Sequence, residues 1–266
     1  MPENHLRRLL RGMPPFLALL RSIEARLLDG WPWERPILDL GCGDGYFTST
    51  VFDRPVEMGV DPSSTALSDA RRRGIHRLLA QASGTALPCA DGAFATVLAN
   101  CVIEHIPDVD GTLTEIARVL RPGGTFVTTV PTDRFTGALL GTRLFGERYG
   151  RWWNRRSVHY HLDAPRVWRE RLHRAGLRVV REERYFSPQT VVVFELFHYL
   201  SVHTLLLKPL IRRRVLWPDG PGVRLTERIL YAHYLRDAPQ DGVNLLLVCR
   251  KDAEERTTLE RRESTF

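Results

Sequence analysis

Short apolar runs alternate with segments of helical period over most of this 266-residue chain. The apolar runs predict strands near 37–40, 56–60, 77–80, 94–99, 124–130, 177–185 and 243–250. The segments between them predict helices near 16–28, 45–52, 63–73, 110–119 and 165–175. Alternation at this spacing is typical of a parallel sheet with helices on both faces. We therefore predict an α/β fold, Rossmann-like and doubly wound, with a mostly parallel seven-stranded sheet.

A glycine-rich turn follows the first predicted strand, in the run Ile37-Leu38-Asp39-Leu40-Gly41-Cys42-Gly43-Asp44-Gly45. Glycine tolerates a positive φ, and its missing Cβ lets a ligand lie against the backbone. The spacing is Gly-x-Gly-x-Gly, whereas a dinucleotide site needs Gly-x-Gly-x-x-Gly and a helix N-terminus facing a pyrophosphate. Carboxylates around the turn repel a diphosphate and suit a cationic ligand. The turn therefore favours an adenosine that carries a positively charged amino-acid tail, as S-adenosylmethionine does.

The second predicted strand ends at Asp61, 22 residues after Asp39. An acidic side chain about 20 residues after the glycine turn lies at the tip of the second strand in nucleotide-binding α/β folds. Its two oxygens can accept hydrogen bonds from both ribose hydroxyls, and the negative charge strengthens each bond. Asp61 is therefore the predicted ribose ligand.

From about Ile37 to Val130 the chain resembles the class I methyltransferases, specifically the small-molecule branch called type 11. The resemblance lies in five motifs that occur in the family's order: Asp39 to Gly45, Val60-Asp61-Pro62-Ser63, Ala86-Leu87-Pro88 with Asp91-Gly92-Ala93-Phe94, Val102-Ile103-Glu104-His105-Ile106, and Leu120-Arg121-Pro122-Gly123-Gly124. It implies S-adenosylmethionine as cofactor. The cofactor-binding residues that we carry over from it are Asp39, Gly41, Gly43, Asp61, Pro62, Ser83 and Asn100.

Two positions depart from the family pattern. Ser83 stands where the family usually has an acidic residue that binds the adenine amino group, and a hydroxyl accepts that bond more weakly than a carboxylate. Ala95 replaces the aspartate that usually follows Phe94. That aspartate usually has a structural role in the family, so we interpret its loss as tolerated. Neither change removes the predicted cofactor pocket.

Two insertions interrupt the α/β alternation, and they define the predicted domain organisation. The cofactor-binding core comprises 1–131, 164–187 and a final strand over 241–251. A cap insertion over 132–163 is rich in arginine, glycine and aromatic residues, and an apolar cap insertion follows over 188–240. The charged segment 252–266 has no apolar period and is predicted to be a flexible tail. Insertions at the edge of a common fold usually determine specificity.

The apolar insertion contains a run from Val191 to Ile211 that approaches the length of a membrane span. Glu195, His198, His203 and Lys208 interrupt the run, and each charge inside a bilayer costs a few kcal/mol, so spanning is disfavoured. Two interpretations stay open and can coexist. The segment is a cap helix over the active site or a homodimer contact, or 190–217, with Arg212-Arg213-Arg214 and Trp217, lies on a membrane surface as a peripheral contact.

Charge and cysteine content limit the alternatives. The net charge is +7, which favours anionic partners in general. However, Asn100-Cys101-Val102 lacks the Pro-Pro-aromatic motif of amino-directed nucleic-acid methyltransferases, so no nucleic-acid partner is expected. The four cysteines are scattered without Cys-x-x-Cys spacing, which argues against disulfides and structural zinc and suits a reducing cytosol. The apolar run near the N-terminus is too short for a signal peptide, so we predict a cytoplasmic protein, with membrane association as a further option.

Three histidines are candidate catalytic residues. Methyl transfer mainly requires alignment of the acceptor and exclusion of water, but a hydroxyl or acidic-carbon acceptor also requires a base. His105 follows the fourth strand, and His159 and His161 lie in the cap insertion beside Trp152, Trp153 and Tyr160. Histidine titrates near neutrality, which suits a base. Each of the three is also compatible with a purely structural role.

We therefore predict a cytoplasmic S-adenosylmethionine-dependent methyltransferase that acts on a small, lipid-like or aromatic acceptor. A dinucleotide-dependent oxidoreductase is disfavoured by the glycine spacing and the acidic turn. A catalytically idle scaffold that binds the cofactor or a membrane is the alternative from another class. The sequence does not distinguish oxygen, nitrogen and carbon acceptors.

Overall fold

The computed structural model describes residues 4–211, 220–236 and 239–252. Within them the strands are β1 (Ile37–Leu40), β2 (Val56–Asp61), β3 (His76–Gln81), β4 (Phe94–Asn100), β5 (Leu120–Pro131), β6 (Leu177–Tyr185) and β7 (Asn244–Lys251). They form one sheet in the order β3-β2-β1-β4-β5-β7-β6. Only the pairs that include β7 are antiparallel. The predicted doubly wound, mostly parallel seven-stranded sheet is confirmed.

Eleven α-helices surround this sheet in the described residues. They are α1 (His5–Leu10), α2 (Pro15–Leu27), α3 (Thr48–Val51), α4 (Ser64–Arg73), α5 (Val109–Val119), α6 (Phe135–Ala138), α7 (Leu140–Phe145), α8 (Glu147–Ser157), α9 (Pro165–Arg174), α10 (Pro188–Ile211) and α11 (Pro221–Tyr234). The first insertion folds into α6, α7 and α8, and the second contains α10 and α11. None of the described helices is both long and apolar enough to cross a bilayer.

The period-2 pattern of the central strands divides the core between the two faces of the sheet. Leu98 and Val127 pack with residues of α2, α10, α11 and the cap insertion. Val97 and Phe126 point to the opposite face and pack with α5 and α9. Because the cap insertions and the N-terminal helices share one face, they cover the same side of the sheet.

Two local predictions need correction. The helix predicted near 45–52 is shortened to Thr48–Val51, because Gly45 has a left-handed φ of 71° and Tyr46 donates its backbone N–H to the Asp44 carboxylate. A short N-terminal helix, α1, was not predicted at all. Its residues Leu6, Leu9 and Leu10 are buried, so it belongs to the core of the cap side.

Candidate active site

The candidate site lies at the carboxyl ends of β1, β2 and β4. Chain order reverses between β1 and β4, and such a switch point opens a crevice for a ligand in α/β sheets. The strand register pairs Asp39 with Gly59 on one side and with Leu98 on the other, so the three strand ends lie side by side. This arrangement brings the glycine turn, Asp61 and Asn100 to one edge of the sheet.

The glycine turn adopts the conformation that its composition requires. Gly41 and Gly43 have φ values of 68° and 54°, in the left-handed region. A Cβ at Gly41 would lie 2.5 Å from the Cγ atoms of Val102, whereas a Cβ at Gly43 would meet nothing within 4 Å. Gly41 is therefore needed for packing inside the protein, and Gly43 borders open space where a ligand can approach.

Asp61 holds the turn in place from the tip of β2. One carboxylate oxygen accepts the backbone N–H of Gly43 at 2.9 Å, and the other accepts the N–H of Ser63 at 2.8 Å. Each carboxylate oxygen has a second lone pair that can accept another hydrogen bond. Asp61 can therefore bind two hydroxyl groups while it keeps the glycine turn and the start of α4 in register.

Asp39 is buried beneath the turn and is hydrogen-bonded within the protein. Its Oδ2 accepts from the Thr48 hydroxyl and lies 2.7 Å from Nε2 of His76. Candidate ligand atoms of Asp39, Cys42 and His76 lie within 4.8 Å of one another. Ligands of a tetrahedral zinc ion are about 3.3 Å apart, so the 2.7 Å contact is a direct hydrogen bond with no space for an ion between its atoms. Asp39 thus contributes negative charge and support to the turn.

Two cavities, each of about 390 Å³, flank the glycine turn. The first, which we call the α2 cavity, lies between the turn and α2; its lining includes Met13, Leu17, Arg21, Asp39, Gly43 and Asn100. The second, the β2 cavity, runs from the tip of β2 to the loop after β4; its lining includes Asp61, Pro62, Ser83, Val102, His105 and Ile106. Gly41 borders both, so one extended ligand could occupy the two cavities across the turn.

Pro62 and Ser83 lie at the rim of the β2 cavity. The Ser83 hydroxyl is 2.9 Å from the hydroxyl of Thr85 and also accepts the Thr85 backbone N–H. It therefore retains limited capacity to bind a ligand amino group. Ser83 thus lines the β2 cavity from within a local turn, and its contact with the adenine amino group stays a prediction.

Asn100 is anchored by a buried polar network that the sequence did not reveal. Its side-chain amide donates to Glu24 at 2.7 Å, and its carbonyl oxygen accepts from Thr129 at 3.0 Å. The carboxylate of Glu24, fully buried on α2, also accepts from Arg21 at 2.7 Å and from the Tyr185 hydroxyl at 2.8 Å. This network ties α2 to the ends of β4 and β6.

His105 and the neighbouring Glu104 border the same region. Nδ1 of His105 lies 3.0 Å from the Val158 carbonyl, which can only accept, so Nδ1 carries the proton and Nε2 keeps its lone pair. Burial lowers the pKa of His105, which favours this neutral form. The Glu104 carboxyl lies 3.7 Å from Nε2, and burial raises its pKa to about 8. The pair therefore combines a neutral imidazole with a carboxyl that is largely protonated at neutral pH.

The two histidines of the first insertion occupy different places. The ring of His159 lies against that of His105, with centroids 5.0 Å apart, and burial lowers its pKa to about 4. His161 instead donates from Nε2 to the carbonyls of Ile106 and Pro107, each at 3.1 Å. The structure thus brings His105 and His159 together, while His161 fastens the insertion to the loop after β4.

The charges at the site favour a cationic ligand group over an anionic one. Asp39 and Asp44 line the α2 cavity beside the turn, and Asp61 lies at the tip of β2. Three carboxylates around one turn attract an ammonium or sulfonium group and repel a diphosphate. The open space at Gly43 and the remaining lone pairs of Asp61 fit an adenosine with a cationic amino-acid tail.

Sequence reasoning missed Arg21, Glu24, Glu104 and Tyr185. A signal for the first two was present, because Arg21 and Glu24 lie three residues apart in an otherwise apolar helical segment. A charged pair inside such a segment indicates either a solvated face or a buried partner, and the structure shows the second. The role of Tyr185 has no local signal, because its partner is 161 residues away.

Comparison with known proteins agrees with this geometry. Residues 38–128 match the sequence family described as a methyltransferase domain. An uncharacterized methyltransferase of Mycobacteroides abscessus is 37% identical over 135 residues, which cover 47% of this chain and 52% of that protein. One of Mycobacterium sp. (strain KMS) is 35% identical over 115 residues, which cover 40% of this chain and 46% of that protein. The chain thus spans about half the length of the curated relatives it matches.

Solved structures show the same fold at low sequence identity. A Thermotoga maritima structure described as an S-adenosylmethionine-dependent methyltransferase, possible histamine N-methyltransferase, superposes with a TM-score of 0.55 at 17% identity, covering 93% of this chain and 91% of that one. A geranyl diphosphate methyltransferase in complex with GPP and sinefungin gives a TM-score of 0.57 at 19% identity, covering 88% of this chain and 80% of that one. Both identities are low enough that the likeness concerns the fold alone.

Proposed function

We propose that this chain, whose residues 38–128 match the methyltransferase-domain family, is a class I S-adenosylmethionine-dependent methyltransferase that transfers the methyl group of that cofactor to a small, lipid-like or aromatic acceptor. The observation that carries the proposal is the pair of cavities that meet at Gly41, with the Asp61 carboxylate at the tip of β2. An extended ligand with a ribose near Asp61 and a cationic tail near Asp39 would occupy both cavities.

Each predicted cofactor residue has a defined task in this proposal. Asp61 binds the ribose hydroxyls and keeps Gly43 in place. Pro62 and Ser83 border the adenine ring in the β2 cavity. Asp39, supported by His76 and Thr48, supplies negative charge beneath the cationic tail. Asn100, held by Glu24 and Thr129, forms the wall between the tail and the end of β4.

The bound cofactor supplies an activated methyl group on a positively charged sulfur. The protein's tasks are therefore to place the acceptor in line with that group and to exclude water. The cap and α2 perform the second task, because Phe16 of α2 packs edge-on against Phe194 of α10 at 5.3 Å and the Glu24 network fastens α2 to the sheet.

A hydroxyl acceptor loses its proton as the new bond to carbon forms, and His105 is the proposed base. Its Nε2 carries a lone pair because Nδ1 is committed to the Val158 carbonyl. His159 lies against it and stays uncharged at neutral pH, because burial lowers its pKa to about 4. His161 has a structural position on the Ile106 and Pro107 carbonyls, so its proposed role is to hold the insertion in place.

The acceptor is proposed to be apolar or aromatic because of the residues that the insertions provide. Phe135 lies beside His159 at a centroid distance of 6.1 Å, and Trp153 contacts His198 of α10 at a centroid distance of 4.9 Å. Peripheral membrane contact through 190–217 or a homodimer contact stays part of the proposal. Arg212-Arg213-Arg214 and Trp217 lie outside the described residues, so the membrane contact through 190–217 rests on the sequence pattern.

Thermal-shift measurements with S-adenosylmethionine, its demethylated product and NAD test the proposed ligand class. We expect stabilisation by the first two and none by NAD, since binding to the folded state alone raises the melting temperature. Stabilisation by NAD alone would favour the dinucleotide interpretation. Mass spectrometry of co-purified ligand, followed by a methyl-transfer assay with that ligand, separates an enzyme from an idle scaffold, which would bind the cofactor without turnover.

A further inference from the structure

An exposed aromatic and aliphatic surface runs along the first insertion and one side of α10. Phe145 is 71% exposed, Leu144 is 65% exposed and Trp152 is 41% exposed, although all three are large apolar side chains. On α10, Leu196, Tyr199 and Leu200 are also exposed at helical spacing. We call these six residues the apolar patch. Large exposed apolar side chains on neighbouring elements indicate an interaction site where they form one surface.

The two halves of the apolar patch are held together by a buried carboxylate. Glu195 of α10 accepts hydrogen bonds from the backbone N–H groups of Leu140 and Gly141, at the start of α7, and from the Tyr149 hydroxyl of α8. Tyr149 also joins Tyr199 through their hydroxyls, 2.5 Å apart. The exposed faces of α7, α8 and α10 therefore form one fixed surface.

Arginines accompany the apolar side chains on the same face of α8. Arg148, Arg151, Trp152 and Arg155 follow the spacing i, i+3, i+4 and i+7, which places them on one side of a helix, and all four are exposed. Arg151 pairs with Glu147 at 3.3 Å, whereas no carboxylate among the described residues pairs with Arg148 or Arg155. An aromatic residue between unpaired cations suits the interface of a bilayer, where its ring lies at the level of anionic headgroups.

We propose that the apolar patch, with Arg148 and Arg155, is a docking surface for an anionic phospholipid membrane. The surface complements such a membrane in two ways, because the arginines attract the headgroups and the apolar side chains enter the boundary of the acyl chains. It is also adjacent to the proposed active site, since α8 leads directly to Val158, whose carbonyl holds His105. A lipid-borne acceptor would reach the histidines from this side.

Co-sedimentation with vesicles tests the docking surface independently of methyl transfer, since it needs neither cofactor nor acceptor. Vesicles of phosphatidylcholine with phosphatidylglycerol are the probe, and phosphatidylcholine alone is the uncharged reference. We expect the full chain to bind the anionic vesicles, less so as sodium chloride rises, and to bind the uncharged vesicles weakly. An arginine near such a surface contributes about fivefold to partitioning, so Arg148→Ser with Arg155→Ser should reduce binding about 30-fold.

Matched variants separate this surface from general stickiness. Phe145→Ser with Trp152→Ser should abolish binding, whereas Leu78→Ser, at an equally exposed leucine on β3, should leave it unchanged. Arg71→Ser with Arg77→Ser removes two exposed arginines elsewhere and should cause a clearly smaller loss than the Arg148 and Arg155 pair. Unchanged melting temperatures identify variants that are folded.

Three outcomes would overturn the proposal. The first is a full chain that does not bind anionic vesicles. The second is binding of the patch variants as tight as that of the wild type, which would assign any membrane contact to the segment after α10. Sedimentation equilibrium showing a dimer that the Phe145 and Trp152 variant dissolves, without vesicle binding, would assign the patch to a second copy of the chain. None of these outcomes affects the proposed methyl transfer, which is judged by cofactor binding and turnover.

Discussion

The carboxylate of Asp61 and the backbone N–H of Gly43 are joined by a hydrogen bond of 2.9 Å, across 18 residues of sequence. The bond links the tip of β2 to the glycine turn after β1. Because of it, one side chain both positions the turn and offers its remaining lone pairs to a ligand. Substitutions at the two ends of this bond should therefore affect ligand binding before they affect folding.

Gly41 and Gly43, the first two glycines of the turn, should respond differently to replacement by alanine. At Gly43 the left-handed backbone costs alanine about 1–2 kcal/mol of stability. The new Cβ meets no protein atom within 4 Å and enters the space proposed for the cofactor, so cofactor affinity should fall more than stability. At Gly41 the Cβ would also meet Val102 at 2.5 Å, and overpacking adds about 1–3 kcal/mol of destabilisation. Chemical denaturation and calorimetry measure the two effects separately.

Adding Val102→Ala to Gly41→Ala provides a control, because it removes the clashing atoms but not the strained φ. We expect the double variant to unfold at higher denaturant concentration than Gly41→Ala alone. Equal stability of the single and double variants would show that Val102 does not limit this position.

The acceptor-side histidines should separate into a reactive pair and a structural residue. His105→Ala and His159→Ala should lower turnover more than cofactor affinity. His105 also lines the β2 cavity, but the Asp61 hydrogen bonds to the backbone of Gly43 and Ser63 stay in place. His161→Ala should mainly lower the melting temperature, since it loses the contacts to the Ile106 and Pro107 carbonyls. His173→Ala, on α9 away from the site, is the control.

The pH profile refines this assignment. Burial lowers the pKa of His105, so an oxygen acceptor should give a turnover that is constant at neutral pH and falls only below the usual histidine range near 6.5. That fall should disappear from the residual activity of His105→Ala. If all three alanine variants turn over at the wild-type rate across pH, the histidines are structural and the acceptor needs no base from them.

Glu104 should make the protein less stable at alkaline pH. Burial raises its folded pKa to about 8 from the usual 4.5, so the folded state retains a proton that the unfolded chain releases. The free energy of unfolding is therefore not reduced by Glu104 below about pH 4.5, and it falls as the pH rises from there towards 8. Glu104→Gln should reduce this loss by a few kcal/mol, as unfolding free energies between pH 5 and 8 would show. A wild-type profile that matches the variant's would mean that Glu104 is ionised in the fold.

Most of the seven strands were predictable because they are short apolar runs between turn residues. β6 carries five charged side chains among its nine residues and was predicted from its place after the helix that ends before Gly176. The candidate site at β1 and β2 was predicted from the glycine spacing and Asp61. The Glu24 network was not predictable, because it joins residues 76 and 161 positions apart. Helix α1 was missed because six residues with two arginines give a weak helical period. The different roles of His159 and His161 depend on backbone carbonyls that no sequence pattern shows.

Calorimetric titration of S-adenosylmethionine into the wild type and Asp61→Ala tests the central claim most directly, with Asp53→Ala as the control at an exposed aspartate outside the site. Each lost charged hydrogen bond costs about 1.5–3 kcal/mol. We therefore predict saturable binding by the wild type and Asp53→Ala, and roughly ten- to a hundred-fold weaker binding by a folded Asp61→Ala protein. Equal affinity of the wild type and Asp61→Ala, or no binding by the wild type, would contradict the account.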